Sequence, residues 1–236
     1  MSDMAYHVGV YMGDGYIENY AKLSSTVRYV GLKCVDRDFV EHYTDVLERL
    51  TGQRYKIRTQ DDGNPKHNVR YICRCGDRAL VDKTDDDTQH KSVVPVWILS
   101  GTNEEKKSFL QGIMDSEAWI TASLNPLGQS NIQLSVGVTD RWCFDLHRMF
   151  GEIGVDTTKV NKRTFGHEPK YLKPRKDFLS FSINILQYVD VGLSFNIRRK
   201  RERLMYCSNI LRDFTREYPR YENYLGKDKV RPLDES

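Results

Sequence analysis

Residues 6–17, YHVGVYMGDGYI, and residues 109–120, FLQGIMDSEAWI, are the stretches that determine the fold. Both are apolar, and both carry two small residues four positions apart, which in the first stretch are Gly9 and Gly13. Residues four apart share one face of a helix, so each stretch predicts a helix with a nearly bare strip. Because bare strips allow two helix backbones to approach closely, we expect the two helices to pack against each other.

Each stretch ends with an acidic residue, Asp14 in the first and Glu117 in the second. The two acids are 103 residues apart, as are the first small residues of the two strips. One such strip before an acid is more often an ordinary buried helix than a site, but a fixed offset indicates a duplicated unit. We therefore predict two units, residues 1–100 and residues 101–236, the second with a C-terminal tail.

The composition is that of a globular protein without a membrane span. Hydrophobic residues make up 39% and charged residues 29% of the chain, and no apolar run is long enough to cross a bilayer. The first residues lack the pattern of a secretion signal, so we expect an intracellular protein. Five cysteines, an odd number, argue against a complete disulfide framework.

Charge is unevenly distributed along the chain. The net charge of +3 does not by itself indicate a nucleic-acid partner, but residues 159–176 carry seven Lys or Arg against one acid. Three consecutive aspartates, residues 85–87, predict an acidic loop within a longer polar loop that begins near residue 79.

The remaining pattern predicts the order helix–hairpin–helix–hairpin–helix in each unit. In the first unit we expect a helix over 4–14, strands over 16–20 and 27–35, a helix from Asp36 or Asp38 to Gly52, and strands over 54–59 and 69–75. In the second we expect the helix opened by residues 102–105, a strand over 131–138, a helix from 139–141 to Gly151 or Gly154, strands over 160–163 and 177–183, and helices from 186 and 199. Short turns between the strands favour antiparallel sheets and an α+β class.

Residues 7–15, HVGVYMGDG, and residues 110–118, LQGIMDSEA, resemble the two motifs of the single-chain LAGLIDADG homing endonucleases. The resemblance spans nearly the whole chain, because the family carries two such motifs about a hundred residues apart. Four positions depart from the motif: His7, Met12, Glu117 and Ala118. The resemblance implies two pseudo-symmetric αββαββα units, with the motif helices at their interface and antiparallel sheets forming a DNA-binding saddle.

The two acids suggest a metal site. Carboxylates at helix C-termini are disfavoured by the helix dipole and repel each other, so their pairing makes sense around a cation. Mg²⁺, or Mn²⁺, is the expected cofactor, since hard oxygen ligands suit it. We expect Asp14 and Glu117 to bind it, with the backbone carbonyls of Gly13 and Ser116 completing the ligation.

Around this centre the resemblance implies further catalytic residues. Asp36 and Asp140 match positions of water-ordering polar residues, although a helix N-cap is the favoured explanation for each. Arg198 and Lys200 match the basic active-site position of the second repeat, with a solvated helix start as the alternative. The matching residue of the first repeat is not evident, and Lys91 is the candidate.

Basic and polar residues of the predicted strands and of the basic loop are expected to contact DNA. In residues 54–59 the basic and apolar side chains alternate, which suits a sheet laid on phosphates and equally a solvated face. The expected DNA-binding residues are Arg28, Lys33, Arg54, Lys56, Arg58, Arg70, Asn131, Gln133, Lys159, Lys162, Arg163, Lys173, Arg175 and Lys176.

The resemblance implies a site-specific endonuclease that cuts both strands of a long asymmetric duplex target, leaves staggered ends and acts as a monomer. Its setting would be the cytoplasm of a bacterial or phage-infected host, or an organelle. Two alternatives remain: a maturase that binds intron RNA, and a DNA-binding regulator that has lost cleavage, for which Met12 and Ala118 leave room.

Overall fold

The computed structural model describes residues 2–22, 25–61, 63–64, 68–124, 130–138, 141–163 and 178–217. The chain forms two compact units. The first comprises Met1–Glu117 with Phe195–Arg198, and the second comprises Ala118–Ser194 with Arg199–Ser236. This division falls after the second motif helix, whereas the predicted repeat begins before it at residue 101.

The first unit contains a four-stranded antiparallel sheet and its helices. Its elements are α1 (Asp3–Met12), β1 (Tyr16–Lys22), β2 (Ser25–Cys34), α2 (Arg37–Thr51), β3 (Arg58–Gln60), β4 (Arg70–Cys75), α3 (Arg78–Thr88), α4 (Val96–Leu99) and α5 (Asn103–Glu117). The strand order is β1-β2-β4-β3. Two predicted caps are confirmed: Gly52 ends α2 in the left-handed conformation, and Thr102 and Glu105 exchange hydrogen bonds at the start of α5.

The second unit repeats this plan. Its elements are β5 (Ala118–Leu124), β6 (Ser130–Val138), α6 (Cys143–Glu152), β7 (Asn161–Arg163), β8 (Phe178–Ile183), α7 (Ile185–Asp190) and α8 (Arg198–Glu217), whose first residue belongs to the first unit. The sheet order β5-β6-β8-β7 is equivalent to that of the first sheet, and every pairing is antiparallel. The predicted α+β class and duplicated order are confirmed.

The first sheet has one buried and one open face, because residues paired across antiparallel strands project to the same side. Val30 pairs with Cys75 and Leu32 with Cys73, and all four are fully buried. The neighbouring pairs place Lys33, Arg58, Arg70 and Arg74 on the opposite side, which we call the basic face.

The predicted polar and acidic loop from residue 79 is wrong, because these residues form helices α3 and α4. Leu80, Val81, Thr84 and Thr88 recur at helical spacing and are buried, so α3 has an apolar face despite its polar composition. Asp77 caps the helix by accepting a hydrogen bond from the backbone N–H of Leu80. The aspartates therefore belong to a helix, and the first of them is buried.

Several other element boundaries differ from prediction, among them those of α1, β3 and α6. Helix α1 ends at Met12, so Asp14 lies in the turn beyond it. Strand β3 begins at Arg58, because the preceding Tyr55 binds helix α2, donating its backbone N–H to Glu48 and its hydroxyl to Thr51. Helix α6 begins at Cys143 and ends at Glu152.

Some predictions concern residues outside the described part of the chain. These are the tail from residue 218, residues 139–140 of the predicted helix start and residues 164–177 of the basic loop. Within the described ranges, every helix is too short or too polar to traverse a bilayer.

Candidate functional site

Helices α1 and α5 cross with their backbones in contact. A Cβ atom added to Gly9 would lie 2.2 Å from the carbonyl oxygen of Phe109, and one added to Gly112 would lie 2.4 Å from the carbonyl oxygen of Tyr6. Only residues without a side chain allow this approach. The predicted packing of the two strips is confirmed.

The C-terminal ends of α1 and α5 meet, and the predicted metal-ligating residues lie there. A Cβ atom on Gly13 would be 2.4 Å from Cβ of Ser116 and 3.3 Å from Cγ of Glu117. Asp14 is the next residue and is exposed, while Glu117 is half-buried as the last residue of α5. Two carboxylates and the carbonyl-bearing ends of two helices thus converge within the first unit.

Lys91 is the basic residue at this convergence. Its Nζ donates hydrogen bonds to the carbonyl oxygens of Gly13 and Gly15, at 2.7 and 2.5 Å. Burial lowers the pKa of Lys91, while the negative charges of Glu117 and Asp14 act in the opposite direction. The structure thereby brings the sequence candidate next to both acids, a contact across 78 residues that local pattern could only suggest.

An unusual turn presents Lys91 to the site. Gln89, His90 and Lys91 have φ angles of 47°, 55° and 67°. The left-handed conformation costs a non-glycine residue about 1 kcal/mol or more and persists where surrounding contacts enforce it. Three in succession therefore indicate a turn that is held in place by its neighbours.

For the other predicted catalytic residues the structure gives the local position, except where they are outside the described ranges. Asp36 stands at the N-cap of α2, although its side chain makes no capping hydrogen bond. Arg198 donates its backbone N–H to Oδ2 of Asp38 at 2.5 Å, and its side chain is exposed. Lys200 is half-buried in α8, in the second unit, and Asp140 is outside the described residues.

A buried carboxyl that the sequence reasoning missed lies two residues before Glu117. Asp115 accepts hydrogen bonds from the Tyr6 hydroxyl, from the backbone N–H of Asn196 and from its side-chain amide, each at 2.8 Å. Burial raises the pKa of Asp115, and these hydrogen bonds oppose that rise. The signal in the sequence was an acid inside an apolar helix, which must find partners when buried.

His7, which departs from the motif, is a fully buried structural residue. Its Nε2 lies 2.8 Å from Oγ1 of Thr84 and its Nδ1 lies 3.0 Å from the Tyr43 hydroxyl. Thr84 donates its hydroxyl proton to the carbonyl of Leu80, so His7 must donate through Nε2 and accept at Nδ1. Burial lowers the pKa of His7 to about 3, which keeps the ring neutral.

The basic face, together with the segment before β3, carries most of the predicted DNA-binding residues of the first unit. Arg54, Lys56 and Arg58 line a cavity of about 570 Å³ together with Arg74 and with tyrosines that the sequence reasoning did not select. Arg70 and Lys33 share the same face by register. Arg28 projects to the other side, where it forms ion pairs with Asp82 and Asp85 of α3.

The second sheet offers a more neutral surface. Asn131 is exposed on β6, and Gln133 donates a hydrogen bond from its amide to the Ser182 hydroxyl. Lys159 and Lys162 are exposed at β7, which also contains Arg163. Lys173, Arg175 and Lys176 are outside the described residues.

Among the residues that the structure describes, no three His, Cys, Asp or Glu side chains cluster as a closed metal cage would require. Mg²⁺ is usually held by one or two carboxylates together with water and phosphate oxygens. The paired acids at the ends of α1 and α5 fit such an open site.

Comparison with known proteins places the fold. No family model and no curated protein matches the sequence. Among solved structures, a mesophilic variant of the homing endonuclease I-DmoI is 15% identical, covering 81% of this chain and 90% of its own, with a TM-score of 0.54. A variant of I-SmaMI is 10% identical and covers 95% and 97%, with a TM-score of 0.56. The LAGLIDADG homing endonuclease I-GzeII, bound to its DNA target, is 9% identical and covers 93% and 92%, with a TM-score of 0.54.

These structures share the chain's antiparallel α+β architecture across most of its length, although few residues are identical. The resemblance seen in the two motifs is therefore confirmed at the level of the fold: the chain has the fold of the LAGLIDADG homing endonucleases.

Proposed function

We propose that the protein is a site-specific endonuclease that cuts both strands of duplex DNA with the help of a divalent metal ion. The proposal rests on one observation, the meeting of Asp14 and Glu117 beside Lys91 at the ends of two tightly packed helices. Solved structures of the same fold include I-DmoI in complex with DNA and Mn, and in complex with DNA and Ca.

The residues that would hold the metal are the carboxylates of Asp14 and Glu117 and the carbonyl oxygens of Gly13 and Ser116. A bound divalent ion supplies an acidified water and neutralises charge on the reacting phosphate. Because one chain provides both acids, a monomer would suffice for both strands. Glu117 replaces the usual aspartate, but its carboxylate offers the same hard oxygen ligands.

Lys91 would supply the fixed positive charge of the first repeat. A desolvated ammonium group next to two carboxylates stabilises their negative charges before DNA arrives, and it can stabilise charge on a phosphate oxygen during cleavage. In the second repeat, Lys200 and Arg198 remain the proposed counterparts.

The basic face would bind the duplex. Three cations of this face, Lys33, Arg58 and Arg70, suit phosphate contacts, whereas Arg74 is paired with Glu18. Strands can enter the major groove, where base edges carry a distinct code. On the second sheet, Asn131 and Gln133 would read base edges through their amides. Arg28 is no longer part of this proposed surface, because its guanidinium is engaged by α3.

The test begins with duplexes that the protein selects from a randomised library in Ca²⁺. The bound pool is then moved to Mg²⁺, and the ends of the products are sequenced. Recurrent staggered ends at one long asymmetric sequence, absent with chelator, are expected. Stable binding without any cut in Mg²⁺ or Mn²⁺ would refute the proposal in favour of a regulator.

Substitution of the acids tests the residues. Asp14→Asn should abolish double-strand cleavage and leave duplex affinity within a few-fold of wild type, because the change removes a charge but no DNA contact on the basic face. The matched control is Asp86→Asn, which removes an exposed carboxylate from α3 and should cut normally. Full cleavage by the Asp14 variant would exclude Asp14 from the mechanism.

A further inference from the structure

We propose that Asp85 is a positioning residue that holds the turn bearing Lys91 and so keeps the Lys91 ammonium between the carbonyls of Gly13 and Gly15. The inference rests on the proposed function for its kinetic consequence. Its geometric part, the placement of Lys91, can be tested without cleavage.

The turn depends on the end of helix α3. The backbone N–H groups of Gln89 and His90 reach the carbonyls of Asp86 and Asp85, each at 3.4 Å, and that of Ser92 binds the carbonyl of Thr88 at 2.9 Å. The two 3.4 Å contacts are long for hydrogen bonds. The backbone alone therefore holds the three left-handed residues weakly, and side-chain contacts must supply the rest.

The Asp85 side chain makes that contact. Only 7% of it is exposed, which is unusual for a carboxylate unless it is paired. Oδ2 accepts a hydrogen bond from the guanidinium of Arg28 in strand β2. Oδ1 lies 2.6 Å from Nδ1 of His90, the central residue of the turn, at ion-pair distance but without hydrogen-bond geometry, and the His90 side chain is 84% exposed. Asp85 therefore links the sheet to the residue that directly precedes Lys91.

Both carboxylate oxygens are needed for this link. Asparagine has nearly the same shape, but it has no negative charge to attract Arg28 and His90, and its NH₂ group cannot accept a hydrogen bond from Arg28. Asp85→Asn would therefore break the contact to Arg28 or the contact to His90 without opening a cavity. A turn that loses its link can relax from the left-handed conformation and withdraw Lys91 from Gly13 and Gly15.

Asp82 provides a matched control. It lies in the same helix and pairs with the same guanidinium, with Oδ1 2.7 Å from NH1 of Arg28. It also pairs with Arg78 on the surface. In the sequence both residues precede Asp85, whereas the turn follows it. Asp82→Asn removes the same type of group from the same arginine while leaving the contact between Asp85 and His90 intact.

The first experiment measures the placement of Lys91 directly. The rate at which an amine-reactive reagent labels Lys91 is followed by mass spectrometry in the full chain. Labelling should be slow in wild type and in Asp82→Asn, because both carbonyls hold the ammonium, and several-fold faster in Asp85→Asn. Equal rates in all three proteins would overturn the inference, as would equal acceleration by both substitutions.

The second experiment measures single-turnover cleavage of the selected duplex. Asp85→Asn should lower the rate of the chemical step by about 10- to 100-fold, as loss of a group that orients an active-site residue commonly does, with the DNA affinity unchanged. Asp85→Glu, which keeps both oxygens, should restore part of the rate. His90→Ala combined with Asp85→Asn should cost no more than either change alone.

The two experiments separate the two proposals. If wild type cuts no duplex but Lys91 labelling responds to Asp85→Asn, the proposed function fails and the positioning role stands. If wild type cuts and Asp85→Asn cuts at the same rate, the positioning role fails and the endonuclease stands.

Discussion

The crossing of α1 and α5 makes a quantitative prediction for Gly9→Ala. The new Cβ would lie 2.2 Å from the carbonyl oxygen of Phe109 and 3.1 Å from Cα of Gly112. A carbon–oxygen contact is ordinarily about 3.3 Å, so the helices would have to separate by about 1 Å at this point. The obstacle is backbone, which cannot turn aside as a side chain can.

The energetic cost follows from two opposing effects. Overpacking a dense contact typically costs about 1–3 kcal/mol, and a backbone obstacle places this case at the upper end. Alanine is a better helix former than glycine by about 1 kcal/mol. We therefore expect Gly9→Ala to lower the free energy of unfolding by about 2 kcal/mol.

The control is a glycine-to-alanine substitution at a position where the new Cβ atom has room. Gly151 lies in α6, and a Cβ atom added there would meet nothing within 4 Å. Gly151→Ala should therefore raise the free energy of unfolding, by up to about 1 kcal/mol. Urea unfolding followed by circular dichroism measures both variants. A Gly9 variant as stable as wild type would show that the two backbones are not in contact.

Two further predictions concern His7 and the basic face. The pKa of His7 is about 3 in the folded protein and about 6.5 when unfolded. The contribution of the neutral His7 to the free energy of unfolding is therefore fully present above about pH 6.5, and it is lost as the pH drops towards 3. Between pH 7 and pH 5 wild type should lose about 2 kcal/mol more than His7→Gln, and parallel pH profiles in urea titrations would contradict this. Fluorescence anisotropy measures the slope of log affinity for the duplex against log salt concentration. Arg58→Ala should reduce the magnitude of this slope by about 0.9, whereas Arg37→Ala on α2 should leave it unchanged. Equal slopes for both variants would remove Arg58 from the phosphate contacts.

The sequence predicted those features that depend on local spacing. The small residues of the two motifs predicted the helix crossing, because a helix face without side chains allows two helix backbones to approach closely. Short turns between the predicted strands indicated the antiparallel sheets. Helix α3 was not predicted, because its composition is polar and includes three consecutive aspartates. Its buried face consists partly of threonines, which do not stand out as apolar in the sequence.

The residues of the candidate site also differ in whether local sequence spacing points to them. Asp14 and Glu117 could be predicted because each ends a recognisable strip. Lys91 and Asp115 depend on contacts across 78 and 81 residues, which no local pattern encodes. Arg28 was misassigned in orientation, since a basic residue at a strand position looks the same whether it binds phosphate or the carboxylates of a neighbouring helix.

The contact at Gly9 and Gly112 also bears on how such a protein can evolve. Almost any side chain at either position would push the helices apart, so selection leaves these sites little freedom. The basic face lies on the other side of a filled sheet core, and its arginines and lysines can change without disturbing that crossing. If the basic face binds the target as proposed, a lineage can drift in the DNA sequence that it recognises while the paired acids are inherited unchanged. The basic face is then the place to look for divergence between close relatives.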